Sequence, residues 1–173
     1  HVDAWIPTFA SLTRVSYDFA TVRDELRIAD IAPHCFLASF SGGETSQEEA
    51  LELAELARNH GAIWVLITRG SQGALLAGPE GHHEISAAIL NPVDTLGAGD
   101  TFIARTLVGL LRREDPRAIL IEATQAAAKT CLSLGAFGHG VAMDVNLSTM
   151  IPIDEIYATT TPAPGPGTVD GAG

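Results

Sequence analysis

The sequence predicts a layered α/β fold, with helices packed around a largely parallel sheet. Short apolar runs alternate along the chain with longer segments of helical periodicity, which is the pattern of β and α units stacked in layers. The chain has 173 residues, 46% of them hydrophobic, so it is long enough to bury a core of ordinary domain size.

Five short apolar runs are the predicted strands. Runs of this length bounded by turn residues favour strands over helices, which need more residues to complete their turns. The expected bounds are 14–18, 35–40, 63–68, 74–77 and 84–89.

A first helix is predicted over residues 47–60. Ser46 and Glu49 have the spacing of a capping box, in which each side chain accepts a backbone N–H of the other residue. Gly61 is a typical residue to end a helix, because it adopts a left-handed backbone conformation at little cost.

Two more helices follow in the second half of the chain. One is predicted over 99–113, with its apolar residues on an inward side. The next begins with Asp115 as N-cap and Pro116 at the first helical position, and we expect it to run to Gly135. Its nearly apolar composition predicts a buried helix.

The charge balance narrows the class of partner. With 21 acidic and 10 basic side chains the formal net charge is −11, which would repel a polyanion over most of the surface. Nucleic-acid binding is therefore disfavoured. A small anion is still compatible, because a few backbone amides can hold a phosphate locally.

Compartment and domain bounds follow from composition. The two cysteines, Cys35 and Cys131, lie in apolar stretches that read as buried, and a reduced compartment suits them. Since no apolar run is long enough to span a membrane and no signal-peptide pattern is present, we expect a cytoplasmic protein without membrane partners. The domain is expected over 1–153, and the Pro-, Gly- and Thr-rich residues 154–173 are expected to form a disordered tail.

The stretch NPVDTLGAGDTF, residues 91–102, carries the strongest chemical signal. Its small residues Gly97, Ala98 and Gly99 allow a sharp turn directly before a helix, whose first N–H groups lack intrahelical acceptors. Such a turn is a ready cradle for an anion, so a phosphate is the expected ligand.

Asp100 lies in the same turn, where a resting anion would repel its carboxylate. Its presence is explained if it takes the proton of a neighbouring hydroxyl as that alcohol attacks a phosphoryl group, while the turn amides stabilise the developing charge. The combination indicates phosphoryl transfer. The alternative is that Asp100 caps the helix and the glycines form a tight loop.

Other phosphate and nucleophile motifs are missing from the sequence. It contains no GxxxxGK[ST] segment and no GxSxG elbow. Gly97 and Gly99 are followed by Phe102 where a dinucleotide fingerprint requires a third glycine.

Two segments resemble the PfkB, or ribokinase-type, carbohydrate kinases. VDTLGAGDTFIARTLVGLL is similar to that family's DTxGAGD signature and following helix, and LITRGSQGALL is similar to its TxGxxG nucleotide-binding strand and turn. Within the family, VSYDF, DIAPHCFLASFSGGE and AAKTCLSLGAFGHG look like the fructosamine kinases. The implied fold is ribokinase-like, a three-layer α/β/α domain, with the N-terminal portion and the small β lid of family members expected to be absent.

The resemblance implies an ATP-dependent sugar kinase that transfers the γ-phosphate to a hydroxyl of a sugar or sugar derivative, with fructoselysine-like acceptors as the first expectation. Asp100 is then the general base, and the Gly97–Gly99 amides form the anion hole. Thr68, Gly70 and Gly73 lie along the nucleotide.

The resemblance also implies cations and a subunit arrangement. Mg²⁺ accompanies ATP, and Glu44 takes over contacts to metal-bound water that other members make through an NxxE motif this chain lacks. A monovalent cation such as K⁺ lies beside Asp94 and Thr95. A homodimer is expected for the full-length protein, because lid strands commonly form the dimer contact in this family.

Several alternatives stay open from the sequence. The chain is either part of a longer active kinase or a truncated, catalytically weak nucleotide-binding remnant, and its acceptor is either a fructosamine, another sugar or a nucleoside. Arg69 either reaches a phosphate or faces water, His139 either contacts the nucleotide or does not, and Asp18 either faces a ligand at a strand end or caps a turn. His82 and His83 read as a solvated turn.

Overall fold

A computed structural model describes residues 2–43 and 45–136, all of which belong to the unit that spans residues 1–140. Glu44, His139 and the predicted tail 154–173 lie outside the described residues, as does the predicted domain boundary at 153. The roles expected of these residues stay predictions.

Five strands form one sheet in the described part of the chain. In order they are β1 Val15–Asp18, β2 Cys35–Ser41, β3 Trp64–Thr68, β4 Ala74–Gly78 and β5 Gly81–Ile85. The spatial order equals the chain order, with β1 to β3 parallel and β3 to β5 antiparallel. The α/β class is confirmed, and the sheet is mixed.

Connection length explains why the sheet changes direction. A helix separates β1 from β2 and β2 from β3, which is long enough for a parallel crossover. Only the short 3₁₀ turn Gly70–Gln72 and a two-residue turn connect β3 to β4 and β4 to β5, so both connections are hairpins.

The last strand corrects the sequence prediction. It lies at 81–85 and not at 84–89, so His82 and His83 belong to an edge strand and not to a solvated turn. The segment that follows, 86–97, has no regular secondary structure and connects β5 to the next helix.

Five α-helices occur within the described residues: α1 Ile6–Leu12, α2 Glu25–Ile31, α3 Gln47–Asn59, α4 Ala98–Leu111 and α5 Pro116–Thr130. The capping box of Ser46 and Glu49 starts α3 and the Asp115 carboxylate caps α5, as predicted. The short α1 and α2 escaped prediction, although Asp24 is an N-cap signal for α2. Helix α5 ends before Gly135 and is buried along one side, mainly through Ile119, Leu120 and Ala123.

Apolar side chains alternate along the central strands and supply two cores. In β3, Val65 and Ile67 face the core shared with α2 and α3, while Leu66 faces the core shared with α4 and α5. Helices therefore cover both faces of the sheet, which confirms the three-layer arrangement. None of the helices within these described ranges is both long and apolar enough to cross a membrane.

Both cysteines are buried and free, as expected from their apolar surroundings. Burial raises the pKa of the Cys35 thiol to about 12, because the interior disfavours a thiolate. Cys131 lies just after α5, and its carbonyl accepts the Val93 N–H at 2.8 Å. That bond holds the segment 86–97 against the end of α5.

Candidate active site

The start of α4 requires a glycine for two separate reasons. Gly97 is the N-cap residue and has φ of +78°, a left-handed conformation that other residues adopt at a cost. A Cβ atom at this position would lie 2.6 Å from the Cβ of Ala136. The backbone therefore turns sharply into the helix only because residue 97 has no side chain.

Several amides in this turn are free to bind an anion. The N–H groups of Gly97, Gly99 and Asp100 have no acceptor among the described residues. The Ala98 N–H, which the sequence placed in the anion hole, donates to the Thr95 carbonyl at 3.2 Å and is already engaged. A helix N-terminus with unpaired amides and a favourable dipole suits an anion.

Asp100 lies in the first turn of α4 with an exposed side chain. Its carboxylate forms no ion pair or hydrogen bond within the described ranges. Asp24 and Asp115 differ, because both cap helices by accepting backbone N–H groups. The capping role considered for Asp100 is therefore not seen, and its carboxylate is free to accept a proton from a ligand.

Asp94 holds the loop before α4 in place. Its Oδ1 accepts the Leu96 N–H at 3.0 Å, and its Oδ2 accepts the Gly135 N–H at 2.9 Å. These two amides lower the pKa of Asp94 from its ordinary value, and the Leu96 N–H has the larger effect. The carboxylate thus joins the segment before α4 to the turn after α5.

The turn between β3 and β4 is a second glycine-dependent element. Gly73 has φ of +97°, and a Cβ atom there would lie 1.9 Å from the Ile85 carbonyl oxygen, so no other residue fits. Gly70, with φ of +52°, faces open space. The Thr68 hydroxyl donates to the Phe40 carbonyl at 3.4 Å.

The two glycine turns line one cleft of about 400 Å³. Thr68, Gly70 and Gly73 lie in its wall together with Thr95, Ala98 and Gly99. The two motifs are well separated in the chain, yet they meet because β3 ends and α4 begins at this cleft. Asp100 itself is not part of the cleft wall.

The rest of the cleft wall was not predicted from the sequence. It is supplied by the segment after β5 and by the inward face of α4 and α5, and includes Ala87, Leu90, Phe102, Ala127 and Cys131. The small residues on one side of α5 could have predicted this part of the cleft, since small side chains leave room beside a helix. Their composition gives the cleft a mainly apolar wall opposite the glycine turns.

Arg69 is buried. The alternative in which its side chain faces water is therefore not what the structure shows. Only 8% of the residue is exposed. Its Nη2 donates to the Gln72 carbonyl at 3.2 Å, and its backbone N–H donates to the Gly73 carbonyl at 2.7 Å. Arg69 therefore spans the turn that lines the cleft.

Asp18 caps a turn, in agreement with one of its two predicted roles. Its Oδ1 accepts the Ala20 N–H at 2.9 Å and the Ser39 hydroxyl at 3.2 Å. This bonding stabilises Ala20 in its left-handed conformation of φ +50°.

Comparison with solved structures defines the class as a ribokinase-like α/β protein. The chain resembles a ribokinase from Thermotoga maritima with a TM-score of 0.58 and 22% identity, over 75% of this chain and 46% of that one. It resembles a putative ribokinase II from Escherichia coli, solved in complex with ATP and Mg²⁺, with a TM-score of 0.63 and 18% identity, over 78% and 48% of the two chains. These likenesses establish the fold.

The chain belongs to the pfkB family of carbohydrate kinases, because that family's model matches residues 30–138. A curated relative, the fructosamine kinase FrlD of Bacillus subtilis (strain 168), is 42% identical over 138 residues, which cover 78% of this chain and 48% of that protein. The chain thus spans about half the length of this relative.

Proposed function

We propose that this chain supplies the nucleotide-binding and base-bearing part of a kinase that transfers the γ-phosphate of ATP to a hydroxyl of a sugar or sugar derivative. The observation that carries the proposal is the start of α4 at the rim of the cleft. There the Asp100 carboxylate has no hydrogen bond or ion pair to any described residue, and it adjoins amides that likewise lack an acceptor in that part of the chain. Family membership supports the class of reaction.

The proposed step moves one proton and one phosphoryl group. The acceptor hydroxyl gives its proton to the Asp100 carboxylate as its oxygen forms a bond to the γ-phosphorus. The bond from that phosphorus to the β,γ-bridging oxygen breaks, and ADP leaves with its electron pair. The free N–H groups of Gly97 and Gly99 stabilise negative charge on the phosphoryl oxygens during the transfer.

The cleft is the proposed binding site for the nucleotide. Its apolar wall, with Phe102 and the small residues of α5, suits a flat base, and the glycine turns allow the phosphates to approach the backbone. Thr68, Gly70 and Gly73 lie along the proposed nucleotide.

Mg²⁺ is proposed to accompany ATP. The ion usually keeps several waters and binds through substrate phosphates and one or two carboxylates, so it needs no all-protein cage. Asp100 is assigned to the acceptor proton and is not offered as a ligand, so the ATP phosphates and water would hold the ion, with Glu44 proposed to contact its metal-bound water. When bound, Mg²⁺ neutralises charge on the phosphate oxygens. The E. coli neighbour solved with ATP and Mg²⁺ supports the same pair here.

The proposed K⁺ beside Asp94 and Thr95 finds less support in the geometry. Both oxygens of Asp94 accept backbone N–H groups, and the Thr95 carbonyl accepts the Ala98 N–H. These donor atoms are engaged in holding the loop, so no step of the reaction is assigned to a monovalent cation.

A fructosamine, such as a fructoselysine-like compound, is the first proposed acceptor. It is supported by the 42% identity to the fructosamine kinase. Another sugar or a nucleoside is the alternative. A panel of acceptors, assayed by ADP release from the full-length polypeptide, separates the three.

The base assignment is tested by Asp100→Asn. We expect the variant to bind ATP with unchanged affinity and to lose acceptor-dependent ADP release, because the amide cannot take the proton. Asp115→Asn is the matched control: it also removes one carboxylate from a helix start, but asparagine retains the cap, so turnover should persist.

Turnover by Asp100→Asn close to that of the unaltered protein would refute the base assignment. ATP binding without acceptor-dependent ADP release in the unaltered protein would instead favour a nucleotide-binding remnant. A protein that binds no ATP at all would overturn the proposed function.

A further inference from the structure

Arg69 is a buried cation without a carboxylate partner. The residue is 8% exposed, and the structure shows no ion pair for it within residues 2–43 and 45–136. Its Nε is buried and has no acceptor there, and its guanidinium donates only to the Gln72 carbonyl. A buried charge is costly unless an opposite charge compensates it. Within these residues, the Arg69 Nε therefore has no acceptor and the guanidinium has no opposite charge beside it.

The location of Arg69 indicates where such an anion would bind. The residue lies between Thr68 and Gly70, both of which line the cleft. Its side chain bends over the same turn and reaches Gln72, whose chain neighbours Ser71 and Gly73 also line the cleft. Arg69 and Gln72 are not themselves among the lining residues, so the guanidinium is joined to the turn that forms the cleft wall and its charge would act on a ligand through that turn.

The same residue also holds the turn in shape. Its backbone N–H bonds to the Gly73 carbonyl at 2.7 Å and its Nη2 to the Gln72 carbonyl at 3.2 Å. A purely structural role would use only these two bonds. The unsatisfied Nε and the uncompensated charge are unexplained by that role.

We propose that Arg69 is a specificity-determining residue that makes the cleft prefer highly charged nucleotides over uncharged or singly phosphorylated ones. The inference rests on the proposed nucleotide site and goes beyond it, because it assigns the charge discrimination to the Arg69 side chain and not to the backbone amides of the glycine turns. Arg69 acts through its charge and through the turn it spans, so it is not assigned a part in the chemical step.

The test compares ligands that share a base and differ in charge. Adenosine, AMP, ADP and ATP are titrated calorimetrically into the full-length polypeptide and into Arg69→Met and Arg69→Lys, at one ionic strength. For Arg69→Met we expect adenosine affinity close to that of the unaltered protein and ATP affinity weaker by about tenfold or more, as for loss of an interaction with a charged group. Arg69→Lys should recover part of the ATP affinity, because it keeps the charge and loses the planar fork.

Arg112→Met is the control for net charge. Arg112 is exposed at the far end of α4, with only a 3.9 Å ion pair to Glu114, so its removal should leave the whole ligand series unchanged. Circular dichroism checks that each variant is folded. If Arg69→Met does not fold, Arg69→Lys carries the test, with ATP affinity lowered and adenosine affinity kept.

Two results would overturn the inference and are distinguishable from failure of the proposed function. If the Arg69 variants bind adenosine and ATP more weakly by the same factor, Arg69 only stabilises the turn. If neither affinity changes, Arg69 does not contribute to ligand binding. In both cases the unaltered protein still binds ATP. If the unaltered protein binds no member of the series, the proposed function fails and the inference fails with it.

Discussion

The Asp94 carboxylate accepts the Gly135 N–H at 2.9 Å and so joins two segments that are distant in the chain. One segment leads into α4, whose start carries the amides that have no acceptor among the described residues, and the other follows α5. Because the carbonyl of Cys131 also accepts the Val93 N–H, the loop before α4 is held at two points. The shape of the anion cradle therefore depends on contacts to the end of α5.

Asp94→Asn should lower stability in a pH-dependent way. The Leu96 and Gly135 amides depress the pKa of Asp94 in the folded protein below its ordinary value of 3.8. The ionised carboxylate therefore contributes its full share of the stability at pH values above 3.8. As pH falls further, through the lower folded pKa, the contribution is lost. We expect the variant to be less stable than the unaltered protein at neutral pH and the difference to shrink in acid.

Urea unfolding at neutral pH and near pH 3 measures this difference. Glu52→Gln, on the exposed side of α3, corrects for loss of one negative charge. An equal loss of stability by Asp94→Asn at both pH values would contradict the role of the ionised carboxylate.

Gly97→Ala should destabilise the protein. The left-handed backbone costs an alanine about 1–2 kcal/mol, and the new Cβ overlaps Ala136 in addition. Equilibrium unfolding in urea gives the free energy directly. A variant as stable as the unaltered protein would show that the turn at Gly97 relaxes without cost.

Gly99→Ala should separate binding from stability. A Cβ atom at Gly99 meets nothing within 4 Å, and the residue is already helical, so the change should leave stability unchanged or raise it by up to about 1 kcal/mol. The same Cβ enters the space at the rim of the cleft where a phosphate is proposed. We expect weaker ATP binding, measured by titration calorimetry, in a fully folded protein; unchanged ATP affinity would argue against a phosphate at this amide.

Arg105→Met should loosen α4 from α5. The Arg105 guanidinium donates to Glu114 at 2.6 Å and to Glu122, and its side chain is 18% exposed. We expect a loss of about 1 kcal/mol in the free energy of unfolding, more than for a fully exposed pair. Arg112→Met, at a site 72% exposed, is the control and should have little effect. Equal losses in the two variants would show that burial of the Arg105 network adds nothing.

Local signals in the sequence were sufficient for most elements. The Ser46 and Glu49 capping box, the Asp115 cap and the apolar runs of β1 to β4 depend on neighbours a few residues away, and they were predicted close to their bounds. Strand β5 was misplaced because its two histidines and exposed edge lack a strand's apolar pattern, and its pairing with β4 supplies what the local sequence does not.

The sequence by itself determined the family resemblance, the two glycine turns and the aspartate at the start of α4, because each depends on residue type at fixed local spacing. Only the tertiary structure decided that both turns line one cleft and that Arg69 is buried. It also decided that Asp94 accepts the Gly135 N–H while Asp100 has no partner among the described residues. These features arise from contacts between segments distant in the chain, and local periodicity does not specify which segments meet.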